Sequence, residues 1–347
     1  MIFKLLKNIF KQKKYSKNIL IISFKFLGDT IFTFPAIQAL TERYPDYYFI
    51  LLCSESNKTL YEIQFENFQY IIIDREKIGL MNFKFPLVFF KICFQVRKYT
   101  PQITIDFTSS IKSAIIAVMS GGQKLIGFGN ARLKVFFDLF EANNRNSNMI
   151  KMFLSPIERL VETKISPVYY EYTLKNIRIR SILMHPFAGW KAKEWGLRKF
   201  IKIGEMLAEN YEVVIISEKN NISPDILDEI KNSSIIYKTT QSLVELIGEI
   251  KKCDFFIGND SGPLLISNLL RKPVFALFGP TNPEFHPPVT NMWYKHIEGK
   301  LLCSPKIGQK LCFTFGGRNG CPSYECMNHL TVEKVYSSIM KFISEIS

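Results

Sequence analysis

Residues 258–262, Gly-Asn-Asp-Ser-Gly, stand between an apolar run, Phe255-Phe256-Ile257, and a largely apolar segment that begins at Pro263. The run suits a buried parallel strand, and a Ser-Gly pair opening a helix leaves backbone N–H groups without intrahelical partners. Such a turn holds an anion, and in an open α/β sheet the carboxyl ends of the strands are where ligands bind. A phosphate-bearing ligand at Asp260, Ser261 and Gly262 is the first expectation, although Asn259-Asp260 is equally a good capping sequence with no ligand present. A second stretch, HPFAGWKAKEW (185–195), follows another strand-like run, SILMHP (181–186). Ala188 and Gly189 let the backbone come close to a ligand, and Lys193 could bring a point charge to phosphate oxygens; the simpler reading is a solvated surface lysine. Glu218 closes the run VVIIS, a position from which an acid can accept hydrogen bonds from ribose hydroxyls. Gly28-Asp29-Thr30 follows the first apolar run, NILIIS (18–23), and opens a helix. Glycine permits the turn, and Asp29 is either a helix cap or a general base looking out from it.

The metal-binding spacings are missing. The chain has no Asp-x-Asp, His-x-x-x-His or Cys-x-x-Cys, so no bound metal is expected. Cys303, Cys312, Cys321 and Cys326 gather near the end with gaps of eight, eight and four residues that fit no common zinc pattern. His185 and His286 read as packed or hydrogen-bonded rather than catalytic.

Two domains must position these residues. The length, 347 residues with 47% hydrophobic, suffices for two cores. Mean hydropathy is near zero, and no apolar run approaches the ~20 residues of a membrane-spanning helix. An odd number of scattered cysteines, with no secretory pattern at the start, implies a reducing compartment and free thiols. From residue 18, short apolar runs alternate with helical periodicity: strands at 18–23, 47–53, 70–74 and 102–107, with a helix at 84–99. The pattern restarts after a loop-like stretch, 141–148, and a helix at 149–162. Strands follow at 181–186, 211–217 and 234–238, then Asp254 to Gly258 and Pro273 to Gly279, with helices near 198–209, 223–231 and 242–250. Alternation of this kind implies parallel sheets with right-handed crossovers. The predicted fold class is α/β, two Rossmann-like doubly wound domains facing across a cleft, at 18–165 and 175–328. A last helix, within 329–347, is expected to return to the first domain.

The opening segment, 1–17, carries lysines at 4, 7, 11, 13, 14 and 17 and no acid, and the whole chain has a formal charge of +14. Ile2, Leu5, Leu6 and Ile9 recur at helical spacing, which predicts one greasy and one cationic face suited to an anionic membrane surface, against a frayed basic tail. No nucleic-acid-binding motif accompanies the charge.

Three blocks, FLGDTIFTFPAIQALTERYP (26–45), HPFAGWKAKEW (185–195) and IGNDSGPLLISNLLRKPVFALFGPTNP (257–283), resemble in order and spacing the heptosyltransferase family of glycosyltransferases, the ADP-heptose:lipopolysaccharide heptosyltransferases. The resemblance covers nearly the whole chain after residue 18. It implies a GT-B fold with an N-terminal acceptor domain and a C-terminal nucleotide-sugar domain. It also implies an inverting, metal-independent transfer of heptose from ADP-heptose, with no cofactor. The acceptor would be a lipopolysaccharide core or related glycolipid, at the cytoplasmic face of a bacterial inner membrane. Asp29 would deprotonate the acceptor hydroxyl, with Gly28 and Thr30 on the acceptor side. Lys193, Gly189, Asp260, Ser261 and Gly262 would hold the diphosphate, and Glu218 the nucleoside. The chain departs from the family with Leu265 where a histidine is common, Ser23 where an arginine usually ends the first strand, and Lys306 where a second cysteine often follows Cys303. Two other transfer-related readings share the fold: a non-catalytic nucleotide-sugar-binding relative, and a transferase of a different sugar in cell-surface glycan assembly. A nicotinamide-dependent oxidoreductase is disfavoured by the absence of G-x-G-x-x-G after either first strand.

Overall fold

The structure, a computed structural model, describes residues 9–12, 14–74, 85–142, 147–165, 176–218, 222–290, 294–305, 309, 311–312, 321 and 323–347. The chain forms two compact units, Met1–Val168 and Tyr169–Ser347. Residues 1–8 and 13 of the basic opening segment lie outside the described residues. Of the remainder, the Gln12 side chain donates to the carbonyls of Arg97 (2.8 Å) and Ser120 (3.1 Å).

The first unit runs β1 (Ser16–Ile22), α1 (Leu27–Ile31), α2 (Phe34–Arg43), β2 (Tyr48–Cys53), α3 (Glu55–Tyr61), β3 (Gln69–Ile72), α4 (Phe85–Arg97), β4 (Pro101–Asp106), α5 (Ile111–Met119), β5 (Lys124–Gly129), β6 (Leu139–Ala142) and α6 (Met149–Val161). Its six strands lie in the order β3-β2-β1-β4-β5-β6, and every pairing is parallel. A sheet covered on both faces needs strands that are apolar throughout. Ile19, Leu20, Ile21 and Ile22 in β1 meet this requirement, with no exposed surface. Helices begin where a side chain can accept the free N–H groups: Ser110 and Ser113 form a reciprocal capping box on α5, and Asn148 caps α6.

The second unit runs β7 (Ser181–His185), α7 (Leu197–Ala208), β8 (Glu212–Glu218), α8 (Pro224–Lys231), β9 (Ile236–Thr240), α9 (Leu243–Lys252), β10 (Phe255–Asn259), α10 (Gly262–Leu269), β11 (Val274–Phe278), β12 (Tyr294–Glu298), α11 (Glu325–Asn328) and α12 (Val332–Ile346). Its order is β12-β11-β10-β7-β8-β9, again parallel throughout. Reading each sheet from its own first strand gives the same arrangement, 3-2-1-4-5-6. Both units are therefore Rossmann-like, each with a topological switch point beside its first strand, between β1 and β4 and between β7 and β10.

Most expected elements stand within two residues of their predicted bounds; β5, β6, β12, α3, α5 and α11 are additions. The last helix, α12, contributes to the second unit's core. Its apolar stripe, Val335, Ile339, Phe342, Ile343 and Ile346, is buried in one cluster with Ile182, Phe255 and Phe275. The Phe342 ring lies 5.7 Å from Phe255 and 6.3 Å from Phe275. The physical reason is a five-residue stripe at helical spacing that finds an apolar sheet face in its own unit. Ahead of it, the buried Trp195 indole N–H donates to the Leu330 carbonyl at 2.6 Å.

Replacing Phe342 by alanine removes a ring that is 2% exposed. The expected cost is about 3–5 kcal/mol of the second unit's stability. All three tryptophans, Trp190, Trp195 and Trp293, lie in that unit, so urea unfolding followed by indole fluorescence checks it. An unchanged midpoint would return the helix to the surface.

Candidate active site

In the second unit the two expected phosphate-binding stretches meet at the β7/β10 switch point. Asn259, fully buried at the end of β10, accepts from the Trp195 N–H (3.2 Å) and donates to the Pro186 carbonyl (2.7 Å). One side chain thereby fastens the 186–195 segment to the turn that opens α10. A short 3₁₀ turn, Lys191–Lys193, then sends Lys193 inward. Its ammonium stands 2.7 Å from Asp260 Oδ2 and 3.2 Å from the Asp260 carbonyl, and 5.0 Å from the Trp190 ring centroid. The lysine is not a solvated surface charge, since its side chain is 17% exposed and that of Asp260 only 7%.

Asp260 sits in a dense polar cluster. Thr281 donates to Oδ2 at 2.7 Å, and His286 Nδ1 lies 4.0 Å from the same oxygen. Burial pushes the carboxyl pKa up, but the attraction of Lys193 and His286 and the hydrogen bonds from Lys193 and Thr281 outweigh it and hold it below the usual range. Thr281 and His286 do not stand out as site residues in the sequence. The signal is the strand order: both follow β11, which is the neighbour of β10. His185, at the end of β7, stays neutral, with burial lowering its pKa to about 4 and Nδ1 donating to the Phe187 carbonyl at 3.0 Å.

The structure gives Asp260 no capping role. The N-cap of α10 is Ser261, no side chain caps the helix, and Pro263 occupies its first turn. The Ser261 hydroxyl is buried with no hydrogen-bond partner among the described residues. A helix N-terminus closed by no side chain, a buried hydroxyl without a partner among the described residues and a lysine held beside them are a combination that can hold an anion. Gly189 is exposed, and a Cβ built there would meet nothing within 4 Å. Glu218 ends β8 with its side chain exposed, paired in register with Thr240 on β9.

In the first unit, α1 brings Asp29 to the β1/β4 switch point. The N-cap of α1 is Phe26 with no side-chain cap, and Asp29 lies in the first helical turn, so the capping reading does not apply. Among the described residues its half-buried carboxylate has no hydrogen-bond or ion-pair partner, and Gly28 lies beside it within the helix. Thr30, expected on the acceptor side, is fully buried and donates to the Phe26 carbonyl at 3.1 Å, so it braces the turn.

Nothing in the local sequence pattern singles out Asp106, which ends β4 across the same switch point. It is fully buried; Oδ1 accepts from Thr108 N (2.8 Å) and Ser109 N (3.3 Å), and Oδ2 from Ser113 Oγ (2.8 Å). Burial raises its pKa to about 6, against the hydrogen bonds and the nearby Lys25 charge. The Lys25 ammonium lies 5.6 Å and 5.4 Å from the Phe128 and Phe153 ring centroids.

Two doubly wound units, the second with a lysine-flanked helix N-terminus at its switch point, define the class: a two-domain α/β protein of paired Rossmann-like units. The chain belongs to glycosyltransferase family 9 (heptosyltransferase), whose model matches residues 90–311. It is 27% identical over 336 residues to lipooligosaccharide heptosyltransferase 2 of Campylobacter jejuni subsp. jejuni serotype O:6, covering 91% of this chain and 96% of that one. The fold matches that of the ADP-heptose LPS heptosyltransferase II of E. coli, with a TM-score of 0.73 and 16% identity over 94% of this chain and 99% of that one. It also matches the iron-containing dodecameric glycosyltransferase TibC of enterotoxigenic E. coli, with a TM-score of 0.58 and 14% identity over 96% and 78%. Among the described residues of the present chain, no group of three or more His, Cys, Asp or Glu side chains is arranged to hold a metal ion.

Two substitutions test the electrostatics. Lys193→Ala leaves Asp260 buried without its main counter-charge and is expected to cost about 3–5 kcal/mol in urea unfolding; a surface lysine would cost under ~0.5 kcal/mol. For Asp106, the raised pKa means that the fold favours the neutral acid. Its contribution is full below about pH 4 and is lost as pH rises through about 6. Wild type should lose roughly 2 kcal/mol relative to Asp106→Asn between pH 4 and pH 7. Parallel stability profiles would exclude the shift.

Proposed function

We propose that this chain transfers heptose from ADP-heptose to a lipooligosaccharide or lipopolysaccharide core glycolipid, with inversion at the anomeric carbon and without a metal ion. Membership of family 9 supports the reaction class, and the names of the relatives in Campylobacter jejuni and E. coli support the sugar and the acceptor class. The observation that carries the assignment of roles is the pair of switch points. One presents a carboxylate with no partner among the described residues, and the other an uncapped helix N-terminus beside a largely buried lysine.

In this reading the first unit takes the acceptor and the second the nucleotide sugar. Asp29 accepts the proton of the acceptor hydroxyl as its oxygen bonds to the anomeric carbon, while the bond to the ADP oxygen breaks on the opposite face. The departing diphosphate gains negative charge. Lys193, the Ser261 hydroxyl and the N–H groups opening at Gly262 stabilise that charge, and Gly189 leaves room for it. Asp260 keeps its carboxylate on Lys193 and so fixes where the ammonium points. Glu218 accepts from the nucleoside, and Gly28 lets the acceptor approach Asp29.

The expected location is the cytoplasmic face of the bacterial inner membrane, where such a glycolipid acceptor is embedded. No helix among the described residues is long and apolar enough to cross a membrane. The lysines of the opening segment, 1–17, would hold the chain to the anionic leaflet.

Heptose transfer from ADP-heptose to inner-core oligosaccharide is expected to survive EDTA and to fall about 10²–10⁴-fold in Asp29→Ala. ADP-linked sugars should raise the melting temperature more than UDP- or GDP-linked ones. Full activity in Asp29→Ala removes that residue as the base; loss in EDTA with recovery on adding metal removes metal independence.

A further inference from the structure

Asp29 rides on a helix that cannot hold its own direction. Helix α1 has five residues, and a single turn in isolation is unstable in water. The stretch before it, Phe24 to Phe26, has neither strand nor helix structure. Its geometry is imposed from outside, and the neighbouring helix α3 supplies most of what does so.

Asn57 and Tyr61 occur four residues apart on α3, hence on one face, and both are buried. The Asn57 amide donates to the Lys25 carbonyl at 3.1 Å and to the Ser23 carbonyl at 3.5 Å. The Tyr61 hydroxyl lies 2.7 Å from Ser23 Oγ and 3.0 Å from Thr33 Oγ1, and its single proton is shared between these two acceptors. Thr33 in turn donates to the Thr30 carbonyl at 2.7 Å, the residue directly after Asp29. From the other side, the Phe24 N–H donates to Thr108 Oγ1 at 3.1 Å, in the turn organised by Asp106. Ser23, Thr30, Thr33 and Tyr61 are all fully buried, and the Tyr61 ring stacks on Phe34 with centroids 5.2 Å apart.

A buried hydroxyl chain adds little net stability over apolar side chains of the same shape. Its contribution is direction, because hydrogen bonds have an angle and dispersion contacts do not. This one joins the residue after β1 to the end of α1, the two ends of the segment that carries Asp29. Ser23 is small enough to admit the Tyr61 hydroxyl at that place.

We propose that the Ser23–Tyr61–Thr33 hydroxyl chain, with Asn57 beside it, is the positioning device for Asp29, setting where its carboxylate meets the acceptor hydroxyl. The inference rests on the reading of Asp29 as the base. A carboxylate displaced by about 1 Å costs on the order of 10²-fold in rate, so the loss of one oxygen atom from Tyr61 has a measurable consequence.

The test is a double-mutant cycle in single-turnover heptose transfer from ADP-heptose to inner-core oligosaccharide. Tyr61→Phe keeps the stacked ring and is expected to lower kcat at least about tenfold while KM for ADP-heptose changes less than about twofold. Thr33→Val should follow it, and Thr33→Ser, which keeps the hydroxyl, should stay near wild type. Melting temperatures confirm that each variant is folded at the assay temperature. In the Asp29→Asn background, Tyr61→Phe should change the residual rate less than about twofold, because the residue acts through Asp29. An equal loss in both backgrounds, or an unchanged kcat in Tyr61→Phe alone, overturns the positioning role while leaving Asp29 as base. An Asp29→Asn enzyme of full activity overturns the base assignment, and the positioning role with it.

Discussion

In a parallel sheet of order 3-2-1-4-5-6, the chain leaves the first strand toward one side and the fourth toward the other, and the carboxyl ends of that pair open a crevice that no side chain fills from within the sheet. The residues proposed to carry the chemistry, apart from Glu218, lie at or next to such a pair: Asp29 at β1/β4, where Asp106 organises the facing turn, and Lys193, Asp260 and Ser261 at β7/β10. The rest of each unit serves to keep those strands parallel and in register. Fully apolar strands such as Phe255-Phe256-Ile257 require helices on both faces, and the helices require crossovers of one hand.

Polar groups buried at the two crevices are handled differently. In the second unit a charge is paired with a charge: Asp260 sits within hydrogen-bonding distance of Lys193 and Thr281, so it remains ionised despite burial. The pair fixes a cation beside a helix terminus at some cost in desolvation, a cost consistent with service to a ligand rather than to stability. In the first unit Asp106 receives only neutral donors within hydrogen-bonding distance, with Lys25 contributing at longer range, and burial raises its pKa. That carboxyl organises a turn, while Asp29 keeps its oxygens without a partner among the described residues.

The last helix shows how an apolar stripe chooses its partner. α12 has a face of Val335, Ile339, Phe342, Ile343 and Ile346, and the second unit's sheet offers Ile182, Phe255 and Phe275 against it. A stripe read from sequence states that a helix will be buried, but not against what, because hydrophobic burial has no direction of its own.

Local patterns were legible in the sequence because their causes are local. Apolar runs of strand length, helical periodicity and the Gly-Asp and Asp-Ser-Gly turns gave the two Rossmann-like units and placed Asp29, Lys193, Asp260 and Ser261 at strand ends. Partners distant in the chain were not legible. The approach of Lys193 to Asp260 spans 67 residues, that of Tyr61 to Ser23 spans 38, and Asp106 joins the crevice only because β4 lies beside β1. By itself the sequence determined which segments become strands and helices and which side chains could do chemistry. Tertiary structure alone decided which of them are buried, paired or left with unclaimed oxygens, since desolvation and hydrogen bonding depend on neighbours that only the folded sheet brings together.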